Sequence, residues 1–325
     1  MATYKEIFGT KVKNYTTNPS NPVEGELWYN DTDNELKLQT FPGATGIWVT
    51  SAELNNGRDQ GCGSGTQDAA IVWGGTPVLQ TTELYNGTAW TEVNDLNQGG
   101  PHRVPSNHGP QTATLASAGF GSTDSLANVE LWNGSSWTET TDLNAARTKT
   151  SGAGISTSAL VMGGPGPATS PNDAKIVESW NGSAWTEIAD TANNGISSGA
   201  GGASNTSAVV YGCSPGDGTR TEVWNGSSWT EVADMNTGKF QIPSHGIATA
   251  ALRIGGRTPD SGDTDCERWN GTAWTNVAAL NSLANFAAGA GTSSLGLRAM
   301  GPGGGNNAVS EEFYWSDQTF AKPIT

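Results

Sequence analysis

Glu178-Ser179-Trp180-Asn181-Gly182-Ser183-Ala184-Trp185-Thr186 is one of five near-copies of Glu-x-(Trp/Tyr)-Asn-Gly-(Ser/Thr)-(Ser/Ala)-Trp-Thr, beginning at Glu83, Glu130, Glu178, Glu222 and Glu267. A worn sixth copy reads from Glu312, and the starts lie 47, 48, 44, 45 and 45 residues apart. A fixed period of this size marks an array in which each copy is one supersecondary unit that buries its faces against its neighbours. The copy spanning Leu143 to Ile188 shows the strands. After Leu143-Asn144 and Arg147 comes a small-residue segment to Ser158, then the apolar run Ala159 to Met162 closed by Gly163-Gly164. A long loop leads to Ile176–Trp180, and Asn181-Gly182 separates that run from Trp185–Ile188. This predicts four short strands per unit, the last two joined by an Asn-Gly hairpin of type I′, in which both central residues take positive φ.

Working outward, paired glycines recur as Gly74-Gly75, Gly163-Gly164 and Gly255-Gly256, with weaker versions at Gly119 to Gly121, Gly212 and Gly301. They permit close backbone approach where strands crowd. Four strands per period, arranged radially, make a β-propeller blade. The order of Arg before strand one, Gly-Gly after strand two, Glu-x-Trp/Tyr before the hairpin and Trp opening strand four resembles the kelch repeat, over about Trp48 to Trp315. The sixth copy lacks a proper fourth strand. Gly46-Ile47-Trp48-Val49-Thr50 supplies one, because Trp48 precedes Leu54-Asn55 by the offset seen from Trp90 to Leu96, Trp137 to Leu143, Trp229 to Met235 and Trp274 to Leu280. The expected fold is therefore all-β, a six-bladed kelch-like propeller over residues 46–325 closed by an N-terminal strand. A seven-bladed ring that also takes Glu26 to Leu38 is the alternative.

Residues 1–45 are different in kind. Met1 to Asn21 is polar and reads as an extended arm. Pro22 to Asn30, a turn at Asp31 to Asn34, Glu35 to Gln39 and Gly46-Ile47-Trp48 read as a β-meander. Its Pro-x-x-Gly-x-Leu-Trp-Tyr-Asn pattern resembles an element of bacteriophage tail-fibre and other virion proteins. That resemblance implies attachment to a virion, with Tyr4, Phe8, Tyr15, Trp28 and Tyr29 as candidate attachment contacts.

The 325 residues carry a net charge of -15, with only 16 Lys and Arg spread thinly, which argues against nucleic-acid binding. No apolar run approaches the roughly 18 residues of a membrane span, so no membrane insertion is expected. Met1 to Lys13 carries no secretory pattern. Cys62, Cys213 and Cys266 have no metal or redox spacing and read as free, buried thiols. Five Asn-Gly-Ser/Thr triplets match a glycosylation acceptor but recur at each hairpin, so they read as turns.

The repeated Trp48, Trp90, Trp137, Trp185, Trp229 and Trp274 invite a sugar-stacking reading, yet one aromatic per blade at one strand position is more simply blade core. Arg58, Arg147 and Lys239 share an offset after Leu/Met-Asn, with Arg103 nearby in its blade. They read either as ion pairs with the repeated acidic residues or as a cationic ring on a loop face that holds an anionic glycan or a partner carboxylate. Asp31, Asp33 and Glu35 lack the glycine of a calcium loop. His102, His108 and His245 form no recognisable catalytic or metal arrangement, although carboxylates converging at the channel stay open as an acid–base pair.

The expectation is a non-enzymatic virion component, a capsid decoration or tail-fibre adhesin assembled in the host cytoplasm. It needs no cofactor or metal, and binds other virion proteins through its arm and a host glycan or protein through its propeller. The alternative is a soluble carbohydrate-binding or carbohydrate-active propeller.

Overall fold

The second strand of the third repeat is an unbroken apolar run, Ala159-Leu160-Val161-Met162, whereas its third and fourth strands, Val177-Glu178-Ser179-Trp180 and Trp185-Thr186-Glu187-Ile188, set polar residues beside tryptophan. Such runs suit strands covered on both faces, whereas alternation suits a strand with one wet face. The computed structural model describes residues 13–16, 27–32, 35–38, 45–76, 78–100, 109–121, 124–166, 174–192, 199–212, 218–258, 262–301, 307–315 and 320–321. Every regular element among them is a strand. Six antiparallel sheets form the blades of a six-bladed propeller. The third blade runs Ser151–Ile155, Ser158–Met162, Val177–Trp180 and Trp185–Ile188 from axis to rim. Its second strand is buried throughout beyond Ser158, while its rim strand buries Trp185 and exposes Thr186 and Glu187. The second blade shows three strands among the described residues, Thr114–Ser117, Val129–Trp132 and Trp137–Thr140.

Small residues fill the strands nearest the axis, as in Gly199–Ser204 and Ala288–Gly291. The reason is close packing between blades: a Cβ on Gly289 would lie 2.9 Å from the Ser244 carbonyl oxygen, and one on Gly201 would lie 3.0 Å from that of Gly246.

The last blade is ordered Ala288–Gly291, Leu295–Ala299, Ser310–Tyr314 and Ile47–Thr50, so the N-terminal strand closes the ring. Six blades hold and seven do not. Leu27–Asn30 and Glu35–Leu38 pair with each other in a separate sheet. The worn copy starts one residue earlier than the sequence suggested. Glu311 takes the role of the repeated Glu, and Phe313 that of the repeated aromatic. Since the strand period is two, this single-residue shift exchanges the two faces of Ser310–Tyr314. Glu312 instead meets the first blade, accepting from the Tyr85 hydroxyl at 2.6 Å and from Ser51 Oγ at 2.6 Å.

The hairpin turn also differs from expectation. Asn181 N donates to the Ala184 carbonyl, and of the two central residues only Gly182 has positive φ, at 95°. That is the pattern of a II′ turn, with glycine at the first central position. Asn181 acts through its side chain: Oδ1 accepts from Ser183 N, Ser183 Oγ and Ala184 N, each at 2.9 Å. The same bonds recur at Asn133 and Asn225.

The chain divides into two units, Trp48–Phe313 and a smaller one of Met1–Ile47 with Tyr314–Thr325. In the smaller unit Lys13–Tyr15 runs parallel to Leu27–Asn30, which pairs antiparallel with Glu35–Leu38. Phe320–Ala321 completes this sheet beside Glu35–Leu38, so the final strand lies outside the blades although the sequence reading ran the propeller to residue 325.

Candidate functional site

Each repeated Glu sits on a third strand, 0–3% exposed, and receives the connection from the preceding blade. Glu178 Oε2 accepts from Asn144 N at 2.7 Å and Asn144 Nδ2 at 2.8 Å. Glu83, Glu130, Glu267 and Glu311 treat Asn55, Asn97, Asn236 and Asn281 alike. This explains the Leu/Met-Asn pair that follows five of the six tryptophans: the apolar residue enters the core and the Asn bolts the linker to the next carboxylate, while after Trp185 the pair is Thr191-Ala192 and Ala192 N donates to Glu222 Oε2 at 2.9 Å.

The cations answer the same carboxylates. Arg58 and Arg147, 1% and 0% exposed, pair with Glu83 at 2.6 Å and Glu178 at 2.8 Å. Burial pushes the Arg58 guanidinium below its usual pKa, against the opposing pull of Glu83. In the fifth and sixth blades the arginine comes from the second strand instead, as Arg253 on Glu267 at 2.7 Å and Arg298 facing Glu311 at 3.7 Å. Burial lowers Arg298 to about 10, with Glu311 pulling the other way. Arg253 and Arg298 were not singled out in the sequence because one guanidinium site is reached from two backbone positions. With Glu267 taken by Arg253, Lys239 (1% exposed) turns to Asp263. Burial raises the Asp263 pKa, but the Lys239 ammonium and the Asp265 and Thr264 amides outweigh it and hold the carboxyl below its ordinary value. Arg58, Arg147 and Lys239 therefore lie inside the propeller; Arg103 lies outside the described residues.

The repeated tryptophans are interior as well. Trp48, Trp90, Trp137, Trp185 and Trp274 are buried and Trp229 is partly buried. Each faces the aromatic residue of the third strand, with centroids 4.9–5.4 Å apart from Tyr85–Trp90 to Trp269–Trp274. Each indole then donates into the preceding blade, as Trp185 Nε1 does to the Thr141 carbonyl and Trp48 Nε1 to that of Ala278.

Of the candidate attachment residues, Trp28 is fully buried and Tyr15 and Tyr29 partly buried in the small sheet, while Tyr4 and Phe8 lie outside the described residues, as do His102, His108 and Cys213. Cys62 and Cys266 are buried and stand in no disulfide, and burial raises Cys266 to about 12. His245 is fully buried, its Nε2 2.8 Å from the Thr292 carbonyl oxygen. Among the described residues no three His, Cys, Asp or Glu side chains form a metal-binding group.

On the face of the strand 1–2 turns, Gly154-Ile155, Gly202-Ala203, Gly246-Ile247 and Gly291-Thr292 ring a cavity of about 360 Å³. Its side chains are small or aliphatic, with Ile155 and Ile247 40% and 45% exposed. On the opposite face, where the 2–3 loops and the inter-blade linkers lie, Gln60, Lys149, Gln241 and Phe286 each take a left-handed conformation at φ 59°, 54°, 54° and 56°. Each lies two or three residues before an axial strand, and each is partly buried.

No protein-family model matches this sequence, and no curated protein matches it. Among solved structures it is similar in fold to that of YjhT, at 12% identity, over 84% of this chain and 99% of that one with a TM-score of 0.66. At that identity the likeness carries the fold alone: this chain is a six-bladed β-propeller.

Proposed function

We propose that this kelch-like chain is a non-enzymatic virion protein, in which the N-terminal element attaches to the particle and the propeller presents a recognition face to the host. The observation that carries the reading is the separation of tasks along the chain. The segment whose Leu27-Trp28-Tyr29-Asn30 pattern resembles virion proteins forms a sheet outside the blades. The blades, meanwhile, spend their repeated charges internally, on ion pairs and linker bolts. What varies from blade to blade is the loops, and loops on a rigid scaffold are where recognition resides. Mass spectrometry of purified particles tests this. A fixed ratio to the major capsid protein supports it, hundreds of copies meaning capsid decoration and a few to tens a fibre. Absence from clean particles overturns it.

A soluble carbohydrate-binding or carbohydrate-active propeller is the second reading. It is favoured by the turn-face cavity, whose size of about 360 Å³ falls within the range of small-molecule sites. Turnover of a soluble glycan by the purified chain would select it.

A further inference from the structure

The turns joining the first and second strands, residues 66–69, 110–113, 155–158, 203–207, 247–250 and 292–295, ring the axis on one face. The Asn-Gly hairpins lie against them: a Cβ on Gly134, Gly182, Gly226 or Gly271 would stand 3.2–3.3 Å from the carbonyl oxygen of Thr112, Thr157, Thr206 or Thr249. In a chain of net charge -15, these six turns and the five hairpins at 86–89, 133–136, 181–184, 225–228 and 270–273 hold one charged residue, Asp68. Exposed carboxylates stand on the rim strands instead, as at Glu92, Glu139 and Glu187. Like charge opposes contact between two copies of so acidic a chain, and on the turn face that opposition is least. Of the 25 residues in the six turns, 22 are exposed or partly exposed, which falls within the about 20–30 that each partner gives to a standard interface.

The first residues of the turns decide how two such faces fit. In order around the ring they are Thr66, Pro110, Ile155, Ala203, Ile247 and Thr292, all exposed. The four apolar ones occupy consecutive blades, the second to the fifth, and the Ser, Thr and Asn of the turns and hairpins surround them, which is the apolar centre and polar rim of a protein interface. We propose that two copies of this chain associate face to face through these turns, on a two-fold axis that lies in the face and passes between the third and fourth blades. In such a contact residue i meets j while j meets i. This axis sets the third blade over the partner's fourth, the second over the fifth and the first over the sixth. Ile155 then faces Ala203 and Ile247 faces Pro110, large against small, while Thr66 faces Thr292. Of the in-plane two-folds of a six-bladed ring, this one alone matches every apolar member of the set with an apolar one. It also places Asp68 over the uncharged turn 292–295 and away from its own copy.

The contact goes beyond the virion reading and is measured without particles. The test is sedimentation velocity of the full chain from about 1 to 200 μM, repeated on Ile155→Lys, on Ala203→Glu and on an equimolar mixture of the two. The expected result is a concentration-dependent dimer that each variant alone weakens by roughly tenfold or more. The mixture recovers it, because the axis sets the lysine of one chain opposite the glutamate of the other, and recovery also shows that both variants fold. A wild-type chain that stays monomeric throughout overturns the proposal. So does a species larger than a dimer, a dimer that the variants leave undiminished, or a mixture that stays as weak as the variants alone.

Discussion

At Gly163-Gly164 the two glycines are not equivalent. The first has φ 64°, a value that Ala118 and Met300 adopt in other blades. The second has φ 79°, and a Cβ there would collide with the Thr148 carbonyl and the Thr150 methyl. Gly163→Ala should cost about 1 kcal/mol and Gly164→Ala roughly 2–4 kcal/mol. Urea unfolding of both variants measures the difference, and equal costs would refute the assignment. His245 shows a second local match. A Cβ on Gly296 would lie 2.9 Å from His245 Nε2, so the glycine makes room for the ring, where other blades pair Ala70, Ala159, Ala208 and Ala251 with small partners. Burial lowers the imidazole to about 4, only partly offset by the Thr292 carbonyl. The unfolded chain, with a pKa of about 6.5, therefore binds more protons than the folded one between pH 6.5 and 4. The stability contributed by neutral His245 is full above that window and falls as pH drops through it, by roughly 3 kcal/mol in all. Comparing unfolding free energies of the wild type and His245→Ala across this range isolates the effect; parallel curves would contradict it. The burial of His245 was not legible in the sequence, because the missing methyl that admits it lies 51 residues away at Gly296.

At the scale of elements, the connection between blades is held as firmly as the strands. Glu178 takes two amide donors from Asn144 and a guanidinium from Arg147, the carboxylate and the guanidinium both out of water. Removing one partner of a buried pair strands the other charge, so Arg147→Ala should cost roughly 3–5 kcal/mol. Adding Glu178→Gln should return part of that loss, and a double-mutant cycle with no coupling would refute the pairing. The repeat, its strand count and the tryptophan packing were all legible in the sequence, because a fixed period and an aromatic at one strand position have few structural solutions. Register at the worn copy was not. Glu311 and Glu312 are adjacent carboxylates in Ser310-Glu311-Glu312-Phe313-Tyr314, and only the pairing with Asn281 shows which faces the linker. The turn type was hidden too, since Asn-Gly suits both I′ and II′ geometry, and the side-chain bonds of Asn181 decide between them.

For the whole molecule, the charge ledger separates scaffold from candidate site. The cations that share a repeat position, Arg58, Arg147 and Lys239, are interior counter-ions, whereas Lys149, which the repeat pattern did not mark, has no carboxylate within ion-pair distance among the described residues. Repetition thus revealed what builds the ring and says nothing of the loops, which differ from blade to blade. The ring itself depends on Ile47–Thr50, which brings Trp48 against Phe313 at 5.1 Å and receives Asn281 Nδ2 at the Trp48 carbonyl. Native-state hydrogen exchange is the most direct measurement of that closure. The backbone amides of Ile47–Thr50 should exchange as slowly as those of the equivalent rim strand Trp185–Ile188, and a chain starting at Ser51 should lose protection across Ser310–Tyr314. Exchange of Ile47–Thr50 at the rate of an open loop, with Ser310–Tyr314 still protected after truncation, would contradict the closed six-bladed ring.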